Sequence, residues 1–163
     1  MDRFLNFINN IKFLIKSKAL PGVLVIVCRN RNKRRIFLVI KSMPSNAVTF
    51  PSGSLNPFED FREAAIRELL EETGLEIKKS ELISIPLIHK FKYKNLPLKI
   101  ESWQQVLVVF LKRNCSITTP RDRHVVWRRW YGLNKVFLLL SYGELKTTFR
   151  RVLDYLEKHK EYF

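Results

Sequence analysis

A chain of 163 residues with 46% hydrophobic and 28% charged residues has the composition of one folded domain, which excludes a disordered or low-complexity protein. Thirty lysines and arginines against 15 acidic residues give a formal net charge of +15, which favours polyanionic partners such as nucleotides, RNA, DNA or anionic lipid. No apolar run reaches the length of a membrane span, and the N-terminus lacks the cleavage signature of a signal peptide. We therefore predict a single domain over residues 1–163 in a reducing cytoplasm, with Cys28 as a buried free thiol.

The first predicted elements are an amphipathic helix and a β-hairpin. Apolar residues at helical spacing within 1–18 favour a helix that packs on the domain's own sheet, with contact to a membrane surface as the alternative. Residues 23–28 and 36–40 are apolar, strand-like runs. The polar segment 30–33 between them predicts a turn with basic residues at its tip and flanks. A short strand at 48–50 follows.

The next predicted element is a helix that begins near Phe61 and ends at Gly74. Asp60 and Glu63 have the spacing of a capping box, and glycine commonly lies just past the end of a helix. The core-facing residues are expected to be Phe61, Ala65 and Leu69, with Ile66 and Leu70 as further members. Arg67 has the spacing to pair with an acidic residue one turn away.

The same helix carries three carboxylates on one face. Glu68, Glu71 and Glu72 are related by i,i+3 and i,i+4 spacing. Like charges at that spacing repel each other, so a helix selected only for stability would avoid them. A bound hard cation would convert the repulsion into ligation, because Mg²⁺ takes carboxylate oxygens together with substrate phosphates.

The remaining elements are strands and a final helix. Residues 82–93 and 98–111 are β-rich, 125–133 reads as another strand, and 143–160 has the apolar stripe of a helix. The order of strands, helix, strands and helix indicates an α+β fold, an α/β/α sandwich around a mixed β-sheet.

One stretch resembles a known family. From Gly53, five residues lead to Glu59, and seven more lead to the run 67–75, RELLEETGL. Every fixed position and both spacings are similar to the Nudix box. The resemblance implies a Nudix fold and a hydrolase that cleaves a nucleoside diphosphate linked to another group. It also implies a divalent cofactor, Mg²⁺ with Mn²⁺ as the alternative.

The resemblance further implies roles for individual residues. Glu68, Glu71 and Glu72 would ligate the metal, and Glu72 or Glu68 would also position the catalytic base. Arg67 would orient the glutamates. Gly53 would let the backbone approach the metal, with its carbonyl as a further ligand. A solvated acidic helix face is the structural alternative to all of these roles. Glu59, which precedes the helix, would make an outer metal contact or support the loop.

Weaker features resemble one subfamily, the asymmetric dinucleoside tetraphosphate hydrolases. They are the segment 44–46 before 50–53, a tyrosine 18 positions after Leu75, and the run 138–142. The first-choice substrate is therefore diadenosine tetraphosphate, cleaved to ATP and AMP. The substrate-binding candidates are Asn46, Tyr93, Lys90, Lys92 and His124. Core packing is the alternative for the aromatic residue, and a solvated strand face is the alternative for the lysines.

Other functions compete with this prediction. Removal of pyrophosphate from the 5′ end of RNA suits the high positive charge. ADP-ribose or a nucleoside triphosphate is a third enzymatic possibility, and a nucleotide- or RNA-binding module without catalysis is a fourth.

The chain also departs from the family pattern. Ser52 and Phe58 stand where glycines are common, and Val48 stands where tryptophan is common. Many members supply a further glutamate just before the strand that corresponds to 125–131. Aligned by that strand, this position is His124, with Glu101 as a substitute candidate.

Overall fold

The computed structural model describes residues 19–92, 101–112 and 122–159, which form a seven-stranded mixed sheet with helices on both faces. The strands are β1 (Ala19–Arg31), β2 (Arg34–Ser42), β3 (Ala47–Thr49), β4 (Ser52–Ser54), β5 (Leu82–Lys92), β6 (Glu101–Leu111) and β7 (Val125–Gly132). The helices are α1 (Phe61–Thr73), α2 (Leu133–Leu139) and α3 (Gly143–Lys158), and a 3₁₀ turn spans Lys79–Glu81. The predicted α+β sandwich is confirmed.

The sheet is built around β1. Its strand order is β3-β2-β1-β6-β5, with β4 paired to β1 and β7 paired to β2. β1 and β6 are parallel, and the other pairs are antiparallel. β7 therefore lies on the side of β2 that faces away from β1, and its N-terminal end comes close to the end of α1.

The predicted hairpin is present and its turn is tight. Asn32 and Lys33 have φ angles of 50° and 60°, and Arg31 pairs with Arg34 across the strands. Two consecutive residues with positive φ give a turn whose twist matches that of the flanking strands. The strands are longer than the apolar runs that predicted them, because hydrogen bonding continues into the basic flanks.

Helix α1 packs on one face of the sheet over a cluster of small and branched residues. Ala64, Ala65 and Leu69 meet alternate residues of β1 and β6, among them Val25 and Leu107. The alanines let the helix axis come close to the strands, which fixes the position of every other side chain on α1.

Helices α2 and α3 cover the opposite face. Phe149 is fully buried and contacts the rings of Phe37, Phe50 and Phe137 at centroid distances of 4.9–5.0 Å. Cys28 lies in this cluster as a free thiol, and burial raises its pKa to about 12, so it is unreactive.

Several boundaries differ from the predictions. The strand expected at 125–133 ends at Gly132, and Leu133–Leu139 is a short helix that the sequence did not indicate. The short strand expected at 48–50 spans Ala47–Thr49. The predicted N-terminal helix at 1–18 lies outside the described residues. None of the helices that the structure describes is long and apolar enough to cross a membrane.

Candidate active site

Helix α1 begins and ends as its sequence predicts. The Asp60 side chain accepts the N–H groups of Arg62 and Glu63 at 2.8 Å, and the Glu63 side chain accepts the N–H of Asp60 at 3.0 Å. Gly74 ends the helix in the left-handed region, with φ at 71°. The capping box and the glycine stop define where α1 begins and ends. Packing of its alanines on the sheet turns its acidic face toward β4, where Glu68 lies against Gly53 and Glu72 accepts the Ser52 N–H.

Arg67 is the centre of the acidic cluster. Its Nε and Nη2 donate to the two carboxylate oxygens of Glu59 at 2.8 and 2.9 Å, which is a bidentate pair. Its Nη1 donates to Glu68 at 2.6 Å and to Glu71 at 3.2 Å. Nη2 also donates to the Ser54 carbonyl at 2.9 Å. Arg67 therefore ties the loop before α1 to the carboxylates on α1.

Glu59 is a support for the loop and for Arg67. Its Oε2 also accepts the Asn56 N–H at 2.8 Å. Partial burial acts to raise the pKa of Glu59, but the hydrogen bonds from Arg67 and Asn56 outweigh it and the pKa is lowered. These contacts favour the loop-supporting role over an outer metal contact.

Gly53 lies directly against Glu68. A Cβ added at Gly53 would lie 1.8 Å from Glu68 Oε1, which is far inside contact distance. The absence of a side chain at Gly53 thus creates the space that the Glu68 carboxylate occupies. Burial raises the pKa of Glu68 in spite of its bond to Arg67, and the neighbouring Glu71 and Glu59 act in the same direction.

Glu72 is the most enclosed carboxylate of the group. It is 8% exposed, and its Oε2 accepts the Ser52 N–H at 2.8 Å. Burial raises its pKa well above the ordinary value, and the charges of Glu68, Asp122 and Glu71 raise it further. A buried carboxylate with acidic neighbours is costly when ionised, unless a cation compensates it.

Asp122 is a member of the cluster that the sequence interpretation missed. Its backbone N–H donates to the Glu71 carbonyl at 2.9 Å, and its charge acts on Glu72. It lines an open cleft of about 680 Å³ together with Glu63, Ile66, Arg67, Leu70 and Glu71. One signal was present: Asp122 is the only acidic residue between Glu101 and Glu144.

The residues proposed for the auxiliary role lie elsewhere. His124 is exposed, and its backbone N–H donates to the Asp122 side chain at 2.8 Å. Glu101 is exposed and pairs with Lys92 at 3.1 Å on the β5–β6 strand pair. Neither side chain lines the cleft beside α1.

The substrate-binding candidates are scattered. Lys90 lines a separate cavity of about 610 Å³ between β5 and α3, beside Glu144 and Arg151. Asn46 is exposed in the turn before β3, with φ at 56°. Tyr93 lies outside the described residues. Lys90 and Asn46 do not line the cleft beside α1.

Phe58 shows why glycine is common at its position. Its φ is 68°, and its side chain is 48% exposed. That left-handed conformation is open to glycine and costs other residues about 1 kcal/mol. The loop keeps the conformation because Glu59, the next residue, is held by Arg67 and Asn56.

The carboxylates are turned toward Arg67 in this geometry. Across the described ranges 19–92, 101–112 and 122–159, no group of three or more His, Cys, Asp and Glu side chains is arranged to hold a metal ion as it stands. The carboxylates of Glu68 and Glu71 instead accept hydrogen bonds from the Arg67 guanidinium. Ligation by all three glutamates therefore requires two carboxylates to turn toward the ion.

Comparison with known proteins identifies the family. The model of the NUDIX domain matches residues 18–153 of the chain. The protein belongs to the Nudix family. This confirms the resemblance carried by Gly53 to Leu75 and extends it over most of the chain.

Curated relatives name an activity. An RNA pyrophosphohydrolase of Dinoroseobacter shibae is 29% identical over 119 residues, which is 64% of this chain and 71% of that protein. An RNA pyrophosphohydrolase of Haemophilus influenzae is 27% identical over 123 residues, covering 68% of this chain and 60% of that protein. The chain therefore spans only part of these relatives. With the family match, they confirm the predicted enzyme class, a hydrolase acting on pyrophosphate bonds.

Solved structures share the fold. A C. elegans Ap4A hydrolase complex has a TM-score of 0.66 at 18% identity, over 85% of this chain and 98% of that one. An E. coli dihydroneopterin triphosphate pyrophosphohydrolase has a TM-score of 0.67 at 16% identity, over 80% of this chain and 92% of that one. Since these proteins have different substrates, the shared fold leaves the substrate of this chain open.

Proposed function

We propose that this Nudix protein removes pyrophosphate from the 5′ end of triphosphorylated RNA. Its cofactor would be a divalent cation, with Mg²⁺ preferred over Mn²⁺. The observation that carries the proposal is the cleft at α1, which Glu71 and Asp122 line, with the half-buried Glu68 and the buried Glu72 on the same helix as Glu71. The choice of RNA is supported by the names of the curated relatives and by the net charge of +15.

The residues present fit a divalent metal ion. Burial and mutual repulsion raise the pKa of Glu68 and of Glu72, so a cation among them would relieve an unfavourable arrangement. Carboxylate oxygens are the ligands that Mg²⁺ prefers. Glu68, Glu71, Glu72 and the Gly53 carbonyl would hold the ion, which would polarise the phosphoryl oxygens and acidify a water molecule.

The protein's own residues would orient the reaction. The Ser52 N–H holds one oxygen of Glu72, and Arg67 limits the orientations of Glu68 and Glu71. Asp122 lines the same cleft, and we assign its carboxylate the role of accepting a proton from the attacking water. Because Glu72 is buried, its own electrostatic interactions are stronger than they would be in water.

A substrate panel tests the proposal. Triphosphorylated RNA, diadenosine tetraphosphate, ADP-ribose and nucleoside triphosphates would be compared in Mg²⁺, with products identified by chromatography. We expect triphosphorylated RNA to be cleaved to 5′-monophosphate RNA with the highest kcat/KM, and chelation with EDTA to stop the reaction. Faster release of ATP and AMP from diadenosine tetraphosphate would replace RNA by the substrate that the sequence favoured first. If none of these compounds is hydrolysed, the catalytic assignment is overturned.

Asp122→Asn tests the proposed proton acceptor. Loss of a general base lowers the rate by roughly 10²-fold or more, so we expect a fall of that size in kcat with little change in KM. Asp154→Asn is the matched control, because Asp154 is exposed on α3 and remote from the cleft. An unchanged kcat for Asp122→Asn would mean that another residue accepts the proton.

A further inference from the structure

Acidic and basic residues are distributed unevenly along this chain. Residues 19–58 contain no acidic residue and six basic ones, and residues 123–143 contain no acidic residue and four basic ones, not counting His124. Residues 59–81, which include α1, hold eight of the 15 acidic residues. The first two regions contain β1, β2 and β7, which are neighbours in the sheet.

The strand register places one set of arginines on the face that α1 covers. Leu38 belongs to the cluster beneath α1, and Trp130, its partner on β7, packs against the same cluster. Because side chains alternate along a strand, Arg128 on β7 lies on this face too. Ile36 and Arg34 lie an even number of residues from Leu38 on β2, so they are on the same face. Their partners on β1, Arg29 and Arg31, therefore lie on this face too.

The four side chains Arg128, Arg29, Arg31 and Arg34 therefore share one face of the sheet and form a basic row, with Trp130 between Arg128 and Arg29. The row runs along β2 from Ile40, the partner of Arg128, to Arg34 at the hairpin tip. Six residues of strand correspond to about 20 Å. Arg31 and Arg34 at its far end are both exposed.

The row has a rigid centre. The Arg29 guanidinium lies 4.2 Å from the centroid of the Trp130 ring, and Trp130 is itself packed against the core. Stacking on an aromatic ring orients the guanidinium plane while its edge keeps N–H groups for other partners. A flexible solvated arginine would instead lose conformational entropy on binding phosphate.

The strand that carries Arg128 starts near the catalytic cleft. β7 begins three residues after Asp122, whose backbone N–H donates to the Glu71 carbonyl and which lines that cleft. A polyanion with its 5′ end at the carboxylates would therefore meet Arg128 first and the hairpin arginines last. The repeated negative charge of a nucleic-acid backbone matches a row of this length and sign.

We propose that the basic row is a docking track for the nucleotides that follow the 5′ end of a single-stranded RNA substrate. The inference rests on the proposed function, because it extends the same site to the remainder of the substrate. Arginine contacts to phosphate are independent of base identity, so the track confers a preference for RNA length and not for sequence.

The test uses the double variant Arg31→Gln/Arg34→Gln, since both residues are exposed and remote from the carboxylates. We expect kcat/KM to fall roughly tenfold or more on a triphosphorylated RNA of about 16 nucleotides and to stay unchanged on a triphosphorylated dinucleotide. The slope of log affinity against log salt for the longer RNA should decrease by about 1.4, the value for two phosphates of a single strand. Arg151→Gln/Lys158→Gln on α3 removes the same charge and should alter neither quantity.

Binding measurements separate this inference from the proposed function. The affinity of each variant for a 5′-hydroxyl RNA, which cannot be hydrolysed, would be measured by fluorescence anisotropy. Weaker binding by the hairpin variant alone would support the track even if triphosphorylated RNA is not a substrate. Equal affinity of wild type and hairpin variant would overturn the track even if RNA is cleaved. Binding to phosphatidylserine vesicles that depends on Arg31 and Arg34, without RNA binding, would overturn it in favour of a membrane surface.

Discussion

Replacement of Glu72 by glutamine is expected to abolish hydrolysis and to make the metal-free protein more stable. Glu72 is buried, its acidic neighbours are Glu68, Asp122 and Glu71, and its pKa is raised well above the ordinary value. The neutral amide removes the cost of a buried charge and still accepts the Ser52 N–H. We expect kcat to fall by about 10³-fold or more and the free energy of unfolding in EDTA to rise by about 1 kcal/mol. Turnover assays and calorimetry measure the two effects.

Metal dependence separates this result from a general effect on the fold. Mg²⁺ binds only the folded state, so it should raise the Tm of the wild type and leave that of Glu72→Gln nearly unchanged. Glu157→Gln is the matched control, because Glu157 is exposed on α3 and should show wild-type activity and metal response. A Glu72→Gln protein that kept full activity would remove Glu72 from the metal site.

The stability gain of Glu72→Gln should depend on pH. A carboxyl with a higher pKa in the folded state than in the unfolded chain binds its proton more tightly when folded. Its contribution to stability is therefore present below the unfolded pKa, about 4.3, and is lost as the pH rises through the folded pKa. The Tm difference between variant and wild type in EDTA should thus be smallest near pH 4 and should grow toward neutral pH. A difference that is constant with pH would contradict a charged Glu72 in the metal-free protein.

Local signals carried most of what the sequence predicted. The capping box, the stop at Gly74 and the spacing of Glu68, Glu71 and Glu72 involve residues within one or two helical turns, and each is present as predicted. The short helix α2 was missed because seven residues are too few to show a helical period. It exists because Val136 and Leu140, one turn apart, are both buried against the sheet.

Contacts between distant parts of the chain were harder to predict. Asp122 meets the end of α1 through a backbone bond to Glu71, some 50 residues earlier in the sequence. Alignment by strand position pointed to His124, whereas the carboxylate that lines the cleft belongs to Asp122, two residues upstream, which accepts the His124 N–H. The role of Glu59 was also hard to predict, although its separation in sequence is smaller. Its partner Arg67 lies more than two helical turns away, and the capped loop places Glu59 beside it.

Gly53→Ala is expected to inactivate the protein by displacing Glu68. The new methyl group would lie 1.8 Å from Glu68 Oε1 and 2.1 Å from its Cδ, so the carboxylate must move by more than 1 Å. A displacement of this size can cost about 10²-fold in rate, and loss of a ligand position adds to it. We expect kcat/KM to fall by about 10²–10³-fold and the Mg²⁺ requirement to rise. The Tm should change little, because the moving atoms are the end of one side chain.

Two comparisons decide whether the effect passes through Glu68. Gly132→Ala adds the same methyl group where nothing lies within 4 Å, and it should leave rate and Tm unchanged. In a Glu68→Ala background there is no carboxylate to displace, so adding Gly53→Ala should cause no further loss of rate. Additive losses in the double variant would instead assign the defect to the Gly53 backbone itself. Non-additive losses would show that the absence of a side chain at Gly53 makes room for the Glu68 carboxylate.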